Sequence, residues 1–170
     1  GAVPPTAPEY VVFEGPGMDA FAESPEWGCT FVVLPFMYYE TYGDDSLIRK
    51  YYNGMRRYID YLTTRADNGI VSFGLGDWYD YGDFRAGFSR NTPVPLVATA
   101  HYYMVVRYLV EAARMLDNQY DVTCYTRLSE EINKAFHREF YHKDTRQYGT
   151  GSQCSNALPL FLGMVPAEDK

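Results

Sequence analysis

The chain has 170 residues, of which 46% are hydrophobic and 17% aromatic, so it is long enough to bury the core of one domain. Its 22 acidic residues outnumber its 15 basic ones, and the formal net charge is -7. No cluster of Lys and Arg is present that could neutralise a phosphate backbone, which argues against a nucleic-acid partner. No run approaches the roughly 20 apolar residues of a membrane span, so no membrane partner is expected.

The cysteines and histidines do not show a metal-binding pattern. Cys29, Cys124 and Cys154 are too widely spaced for a zinc cluster or a Cys-x-x-Cys redox pair. The three histidines likewise lack the spacing of metal ligands. We therefore predict no metal site, and we interpret the cysteines as small buried hydrophobic residues and His101 as a hydrogen-bonded core residue.

Five helices are predicted after an extended arm at residues 1–29, which is rich in Pro and Gly. Helical periodicity places them at residues 30–42, 44–62, 95–116, about 121–140 and 156–162. The first is apolar on every side, is expected to kink near Pro35, and is followed by Gly43 as a C-terminal cap. Its β-branched start leaves a strand as the alternative. Asp44 is the predicted N-cap of the second helix.

Two kinds of helix alternate along the chain. The first, third and fifth are apolar nearly all round, whereas the second and fourth have a charged face. Short turns follow the first and third helices, which predicts antiparallel hairpins. The other connections are long and Gly-rich. Because antiparallel helices reverse direction at each step, Trp27, Trp78 and the loop at residues 148–153 should share one rim.

This pattern predicts an all-α fold, a partial (α/α)6 toroid in which about five helices form antiparallel hairpins with long loops at one end. Residues 1–170 would be a fragment of one such domain, with an arm at 1–29 and helical hairpins at 30–170. Two and a half hairpins cannot close a ring, so an open bundle or an α-solenoid is the alternative. Residues 166–170 have the pattern of the first turn of a further helix.

The stretch from Gly74 to Asp83 combines aromatic rings, carboxylates and glycines. Paired carboxylates beside aromatic residues are typical of glycoside hydrolysis, and Asp77, Asp80 and Asp83 could supply them. Trp78 offers an apolar platform for one face of a sugar. Asp and Gly are also common turn formers, so these acids could instead cap the loop while Trp78 closes the rim. From the residues alone, both interpretations remain open.

Short motifs occur in a fixed order over nearly the whole chain. They are Ser-Pro-Glu-Trp-Gly at 24–28, Val-Leu-Pro-Phe at 33–36, Tyr-Gly-Asp at 42–44, Gly-Asp-Trp-Tyr-Asp-Tyr-Gly at 76–82, Thr-Ala-His-Tyr-Tyr at 99–103, Ala-Phe-His-Arg-Glu-Phe at 135–140, Gly-Ser-Gln-Cys-Ser-Asn-Ala-Leu at 151–158 and Gly-Met-Val-Pro at 163–166. In order and spacing this set resembles the bacterial α-L-rhamnosidases of glycoside hydrolase family seventy-eight.

The resemblance implies part of a six-hairpin toroid catalytic domain. It also implies an inverting hydrolase that removes terminal α-L-rhamnose from plant glycosides and polysaccharides and needs no cofactor. The tryptophans that line the family's rhamnose pocket map onto Trp27 and Trp78. Asp77 and Asp80 are then candidate supports of that pocket. The expected substrate-binding residues are these four, and the expected partner is a carbohydrate.

Two departures from the family pattern affect the expected chemistry. Cys29 stands where family members usually have an acid after the first Trp-Gly, which leaves the polar network there undefined. The family's general acid lies in an Asp-Glu-Arg-x-Gly-Trp-type motif before the arm, and its general base is a Glu beyond the last helix. Neither stretch occurs in these residues, so we predict no catalytic residue and expect the isolated chain to be inactive.

Two further expectations follow. Apolar surface that other hairpins would cover favours a homodimer of the isolated chain. The alternative functions are a non-enzymatic helical module that binds a glycan or protein on its rim, and an α/α-toroid glycosidase with another sugar specificity. Sugar specificity depends on side-chain placement around the pocket, which sequence patterns do not define.

Overall fold

A computed structural model describes residues 1–9 and 11–166 as a mainly helical chain. Its elements, in order, are α1 (Asp19–Ala22), α2 (Pro25–Gly28), α3 (Thr30–Tyr42), α4 (Ser46–Arg65), β1 (Asp80–Gly82), β2 (Phe84–Gly87), α5 (Val94–Met115), α6 (Gln119–Phe140), β3 (Tyr141–His142), β4 (Gln147–Tyr148) and α7 (Gln153–Phe161). The helices α3 to α7 correspond to the five predicted helices. A further helix is predicted at 166–170, but residues 167–170 lie outside the described residues.

The first hairpin, α3 and α4, turns where the sequence predicts. Gly43 ends α3 in the left-handed conformation at φ 69°, and its N–H donates to the carbonyl of Tyr39 at 2.8 Å. Glycine suits this position because it has no Cβ to collide with the turn. Asp44 accepts the N–H of Ser46 at 2.8 Å, but the residue at the N-cap position of α4 is Asp45, so the predicted N-cap is wrong by one residue. Helix α3 runs through Pro35, so the alternative of a strand is wrong.

Two helices begin earlier than their apolar patterns suggest, because polar caps precede them. The side chain of Asn118 accepts the N–H of Asp121 at 3.2 Å at the start of α6. The Ser152 hydroxyl accepts the N–H of Ser155 at 3.2 Å at the start of α7. Such side chains satisfy N–H groups that lack partners inside the helix. The apolar periodicity marks the buried face, whereas the caps decide where each helix starts.

Helix α5 is the central element and packs against α3, α4, α6 and α7. As predicted, it is buried on most sides, through residues Leu96, Val97, Ala98, Thr99, Ala100, Tyr102, Tyr103, Val105, Val106, Leu109, Val110, Ala112 and Ala113. A helix that is apolar all round is stable in water only when its neighbours enclose it. Even so, no helix within the described ranges, α5 included, is long and apolar enough to cross a bilayer.

Helices α3 and α7 are not enclosed in the same way, which corrects the prediction that they are buried. Val32 and Phe36 of α3 are buried, but Leu34 and Met37 are each 55% exposed. In α7, Phe161 is 83% exposed. The reason is geometric, since α3 packs mainly on α2, α4 and α5, and α7 mainly on α5 and β4. An apolar face of each helix therefore meets solvent in this chain.

Short elements also occur where the sequence predicts only loops. The arm at 1–29, predicted to be extended, contains the single turns α1 and α2 near its end. Phe21 is the buried residue of α1. Pro25 begins α2, where its fixed φ suits a first helical residue. Strands β1 and β2 pair antiparallel in one long loop, and β3 and β4 pair in the other. The chain stays mainly helical, with two small hairpins added.

A buried polar contact joins α4 to the start of α6. Asp121 is buried and accepts the hydroxyl of Tyr52 at 2.7 Å and the side-chain amide of Asn118 at 2.9 Å. The guanidinium of Arg56 lies 3.3 Å from the same carboxylate oxygen. A buried carboxylate is tolerated when it is paired and hydrogen-bonded in this way. The contact links the two helices that carry charged faces.

Candidate functional site

The three long loops meet at one end of the helices, as the alternation of connections predicts. The ring of Phe21 contacts both tryptophans, with centroid distances of 5.5 Å to Trp27 and 5.2 Å to Trp78. Farther along the rim, the hydroxyls of Thr92 and Ser152 lie 2.7 Å apart. The rim therefore combines residues from the arm, from the loop between α4 and α5, and from the loop before α7.

A cavity of about 830 Å³ opens between the last two of these loops. Its lining consists of Asp77, Tyr79, Asp80, Tyr81, Asn91, Thr150, Gly151, Ser152, Gln153, Cys154 and Ala157. These described lining residues offer carboxylates, hydroxyls, amides and two phenol rings, and they include no Lys or Arg. Such a surface suits a neutral polyhydroxylated ligand better than an anion.

Asp77 lines this cavity and is held in place by its neighbours. Its Oδ2 accepts the hydroxyl of Thr92 at 3.1 Å. The thiol of Cys154 lies against the same carboxylate, and burial, with the negative charge of Asp77 adding to it, raises the pKa of Cys154 to about 11. The thiol is therefore protonated at neutral pH and is a poor nucleophile. The Asp77 carboxylate is one of the lining groups that can accept hydrogen bonds from a ligand.

Asp80 uses its carboxylate to close the loop. The carboxylate accepts the backbone N–H groups of Arg90 at 2.6 Å, Asn91 at 2.7 Å and Tyr81 at 2.9 Å, and the side-chain amide of Asn91 at 2.7 Å. The N–H bonds from Asn91 and Arg90 hold the pKa of Asp80 below its ordinary value. Asp80 therefore caps the loop, which is one of the two interpretations of the loop acids from the sequence.

Acidification is expected to release the Asp80 contact only below the ordinary aspartate pKa of 3.8. Because folding lowers this pKa, the contact stabilises the loop at neutral pH and is lost as the pH falls through the lowered value. NMR signals of the Arg90 and Asn91 amides should titrate with a midpoint below 3.8. Asp80→Asn should shift both signals at neutral pH, and Asp83→Asn, at an exposed position of the same hairpin, should not. A midpoint above the ordinary value would contradict the assignment.

Trp78 belongs to an aromatic cluster beside the cavity and is not among its described lining residues. Its indole packs edge-on against Phe21 at 5.2 Å, Tyr79 at 5.1 Å and Phe88 at 5.5 Å. It is still 39% exposed. A large aromatic side chain that keeps this much open surface after packing on three rings is available to a ligand.

Trp27 lies in the same cluster but faces a different space. It packs against Phe13 at 6.2 Å and against Phe21. It also borders an apolar cavity of about 500 Å³ between the start of the chain and α3. The four predicted substrate-binding residues therefore divide into two groups, with Asp77 and Asp80 at the polar cavity and the two tryptophans in the aromatic cluster next to it.

The turn that carries Trp27 is built around two small residues. At Gly28, an added Cβ would lie 2.4 Å from the hydroxyl oxygen of the buried Tyr58, so any other residue would displace that ring. The thiol of Cys29 donates to the carbonyl of Glu26 at 3.1 Å. Burial, followed by the charge of Glu26, raises the pKa of Cys29 to about 11. The carboxylate in this region comes from Glu26, before the tryptophan, and not from residue 29.

Glu26 is the residue of the rim that sequence reasoning missed. Its carboxylate accepts backbone N–H groups of the loop that carries Trp78, at Leu75 and Gly76. The signal in the sequence is a glutamate beside Trp27 and a Gly-Leu-Gly run before Asp77. One sequence cannot reveal that the two are in contact, because they lie far apart along the chain.

The predicted burial of the cysteines and of His101 is confirmed only in part. All three cysteines are free, and Cys29 is buried, but Cys124 and Cys154 are only half-buried. His101 is also half-buried, and its Nδ1 lies 2.8 Å from the carbonyl oxygen of Val97. Within residues 1–9 and 11–166, no group of three or more potential metal ligands lies together.

Antiparallel helical hairpins with their long loops gathered at a polar, aromatic rim define a segment of a helical-hairpin domain. Residues 1–170 match the family model of the bacterial alpha-L-rhamnosidase six-hairpin glycosidase domain. The chain belongs to this family, as its motifs suggest.

Comparisons with individual proteins agree with the family match. An alpha-L-rhamnosidase of Formosa agariphila is 29% identical over 151 residues, which are 85% of this chain and 16% of that protein. The structure of the alpha-L-rhamnosidase from Dictyoglumus thermophilum has 28% identity and a TM-score of 0.78, over 86% of this chain and 17% of that one. The Streptomyces avermitilis alpha-L-rhamnosidase complexed with L-rhamnose has 26% identity and a TM-score of 0.73, over 84% and 13%. The predicted toroid-type helical fold is confirmed, and the chain spans a minor part of each relative.

Proposed function

We propose that this chain forms one wall of the sugar site of an α-L-rhamnosidase, within a single toroid catalytic domain. The enzyme would be an inverting glycoside hydrolase that removes terminal α-L-rhamnose from glycosides or polysaccharides. The observation that carries the proposal is the meeting of Trp27, Trp78 and Asp77 on one rim of a chain that matches this family over its whole length. A relative with L-rhamnose bound supports the choice of sugar.

The chemistry of the rim fits a deoxy sugar. The exposed face of the Trp78 indole can pack against the C–H groups of the ring and the methyl group of rhamnose. The Asp77 carboxylate, held by Thr92, can accept hydrogen bonds from sugar hydroxyls. The lining carries no Lys or Arg among its described residues, so it has no cationic group that selects an anionic sugar.

The same geometry argues against an acid/base pair within this chain. Glycoside hydrolysis requires one carboxylic acid to protonate the leaving oxygen and a second carboxylate to activate water. Asp77 and Asp80 are the carboxylates among the described lining residues. Asp80 accepts four N–H bonds that keep it ionised and occupy both of its oxygens, so it is a poor proton donor and a poor base. Asp77 alone cannot supply both groups. We therefore assign both residues to the wall of the pocket, and the catalytic pair to other parts of the full-length protein.

The proposal is tested by comparing the isolated chain with the full-length protein on aryl glycosides. The full-length protein should release the aryl group from an α-L-rhamnoside, and the 170-residue chain should not. Robust turnover by the chain alone would show that its own carboxylates are catalytic. Aryl α-D-mannosides and β-D-glucosides serve as controls, since preference for either one would favour a different toroid glycosidase. Rhamnose binding without hydrolysis by the full-length protein would favour a glycan-binding module.

We also propose that the isolated chain forms a homodimer. The exposed apolar faces of α3 and α7, marked by Leu34, Met37 and Phe161, would be removed from water in such a contact. Sedimentation velocity over a range of concentrations should show a shift from monomer to dimer. A monomer at all concentrations would contradict the proposal. The formal net charge of -7 argues against a nucleic-acid partner.

A further inference from the structure

We propose that Glu26 is a positioning residue that fixes the loop bearing Asp77 and Trp78 against the turn bearing Trp27. The inference rests on the proposed function for its catalytic consequence and on the described contacts for its geometry. Glu26 is not among the lining residues of the polar cavity. It acts through the residues that it holds in place.

The carboxylate of Glu26 forms three hydrogen bonds at the junction of the two segments. Oε1 accepts the N–H of Gly76 at 2.9 Å, and Oε2 accepts the N–H of Leu75 at 3.2 Å. Oε2 also accepts the hydroxyl of Ser24 at 2.5 Å, which orients the carboxylate from its own turn. Hydrogen bonds to an ionised group are roughly twice as strong as bonds between neutral groups. Two successive N–H groups therefore bind one fixed anion.

The loop sequence is adapted to this contact. Gly74 has φ +134° and Gly76 has φ +67°, both in the region that favours glycine. A Cβ at residue 74 would lie 2.5 Å from Oε2 of Glu26, so the backbone reaches the carboxylate only because this residue has no side chain. Leu75, between the two glycines, is 1% exposed and anchors the loop to the protein interior.

The position of these contacts explains why they affect the proposed sugar site. Glu26 immediately precedes Trp27, and Gly76 immediately precedes Asp77 and Trp78. The carboxylate thus joins the two tryptophan-bearing segments through backbone hydrogen bonds, while the ring of Phe21 joins them through side-chain packing. Apolar packing is non-directional, so ring contacts alone would fix the loop less exactly than hydrogen bonds to its backbone. In enzymes, a displacement of about 1 Å in a positioning group can cost up to roughly 100-fold in rate.

Glu23 supplies a matched control on the same segment. Its carboxylate accepts hydrogen bonds from the hydroxyl of Tyr61 and from the guanidinium of Arg65 on α4. Glu23→Gln therefore changes a carboxylate that anchors the arm without touching the loop at 74–78. Glu26→Gln keeps the size of the side chain and one acceptor oxygen but removes the charge and the second acceptor.

The first measurement uses NMR spectra of this chain and does not depend on activity. Glu26→Gln should move the amide signals of Leu75 and Gly76 and the indole N–H signal of Trp78, whereas Glu23→Gln should leave them in place. The chain contains two tryptophans, so the indole signals are simple to assign. Gly74→Ala, which displaces the loop while Glu26 is retained, should move the same signals. Unchanged Leu75 and Gly76 signals in Glu26→Gln would overturn the proposal.

The second measurement uses the full-length protein and an aryl α-L-rhamnoside. Glu26→Gln should lower kcat/KM by about 10-fold or more, mainly through a higher KM, with a larger loss for Glu26→Ala. Glu23→Gln should lower kcat/KM far less. Equal losses in Glu26→Gln and Glu23→Gln would overturn the positioning role. If the wild-type protein does not hydrolyse the rhamnoside, the proposed function fails, and the NMR measurement still decides the role of Glu26.

Discussion

Replacing Trp78 with alanine is expected to weaken the affinity of the full-length protein for L-rhamnose by about 30-fold, or about 2 kcal/mol. The indole is 39% exposed at the rim and is supported by the rings of Phe21, Tyr79 and Phe88. It therefore presents a rigid apolar face to a sugar ring, and alanine would leave only solvent there. Isothermal titration with L-rhamnose, or KM for an aryl α-L-rhamnoside, measures the loss.

Two controls separate lost binding from lost structure. Trp78→Phe keeps an aromatic face and should retain part of the affinity. Tyr120→Ala removes an exposed aromatic side chain near the start of α6, far from the rim in the fold, and should leave the affinity unchanged. Far-UV circular dichroism should show an intact fold in all three variants. Wild-type affinity in Trp78→Ala would remove this residue from the sugar site.

The helices are the part of the fold that the sequence predicts well, because their evidence is local. Apolar residues at helical spacing and a cap at Gly43 define the first hairpin, and Gly43 has the expected left-handed conformation. The N-cap of α4 is Asp45, one residue after the predicted Asp44. The extent of burial is less accessible to prediction. The apolar patterns of α3 and α7 are continuous, but Leu34 and Phe161 remain exposed because burial depends on which elements are adjacent.

The two small hairpins escape prediction for a related reason. Strands β1 and β2 are three and four residues long, and glycine occurs in both. Such short runs carry no measurable alternation of apolar and polar residues. Glycine is also depleted in strands. What stabilises the first hairpin is the carboxylate of Asp80, which reaches forward to Arg90 and Asn91. A carboxylate that binds backbone N–H groups is indistinguishable, in sequence, from one that binds a ligand.

The position of the rim can be predicted from the alternation of short and long connections between the helices. Because antiparallel helices reverse direction at each step, Trp27, Trp78 and the loop before α7 are predicted to lie at one end. The contacts through Phe21 and between Thr92 and Ser152 confirm it. The direction of the helices does not give the distances between residues at that end. It therefore could not separate the polar cavity from the aromatic cluster, nor identify the carboxylate of Glu26 between the two segments.

We expect the largest loss of stability in this chain from a substitution in the core beneath α6. Phe136 of α6 is fully buried, and its ring packs against Phe140 at 5.0 Å and Tyr148 at 5.7 Å. Phe136→Ala should lower the free energy of unfolding by about 3–5 kcal/mol, since it removes apolar contacts and leaves a cavity. That is a large part of the roughly 5–15 kcal/mol by which domains are stable. Urea unfolding followed by circular dichroism measures the change.

Phe161→Ala is the matched control for this loss, because it removes the same side chain from a position that is 83% exposed. It should change the free energy of unfolding by no more than about 0.5 kcal/mol when measured at concentrations where the chain is monomeric. Tyr148 lies in β4, at the beginning of the loop that leads to Ser152. Phe136→Ala should therefore also speed hydrogen exchange in that loop. Equal stabilities for the two variants would contradict the predicted loss at Phe136. Unchanged hydrogen exchange in the loop would show that the α6 core does not hold the loop before α7.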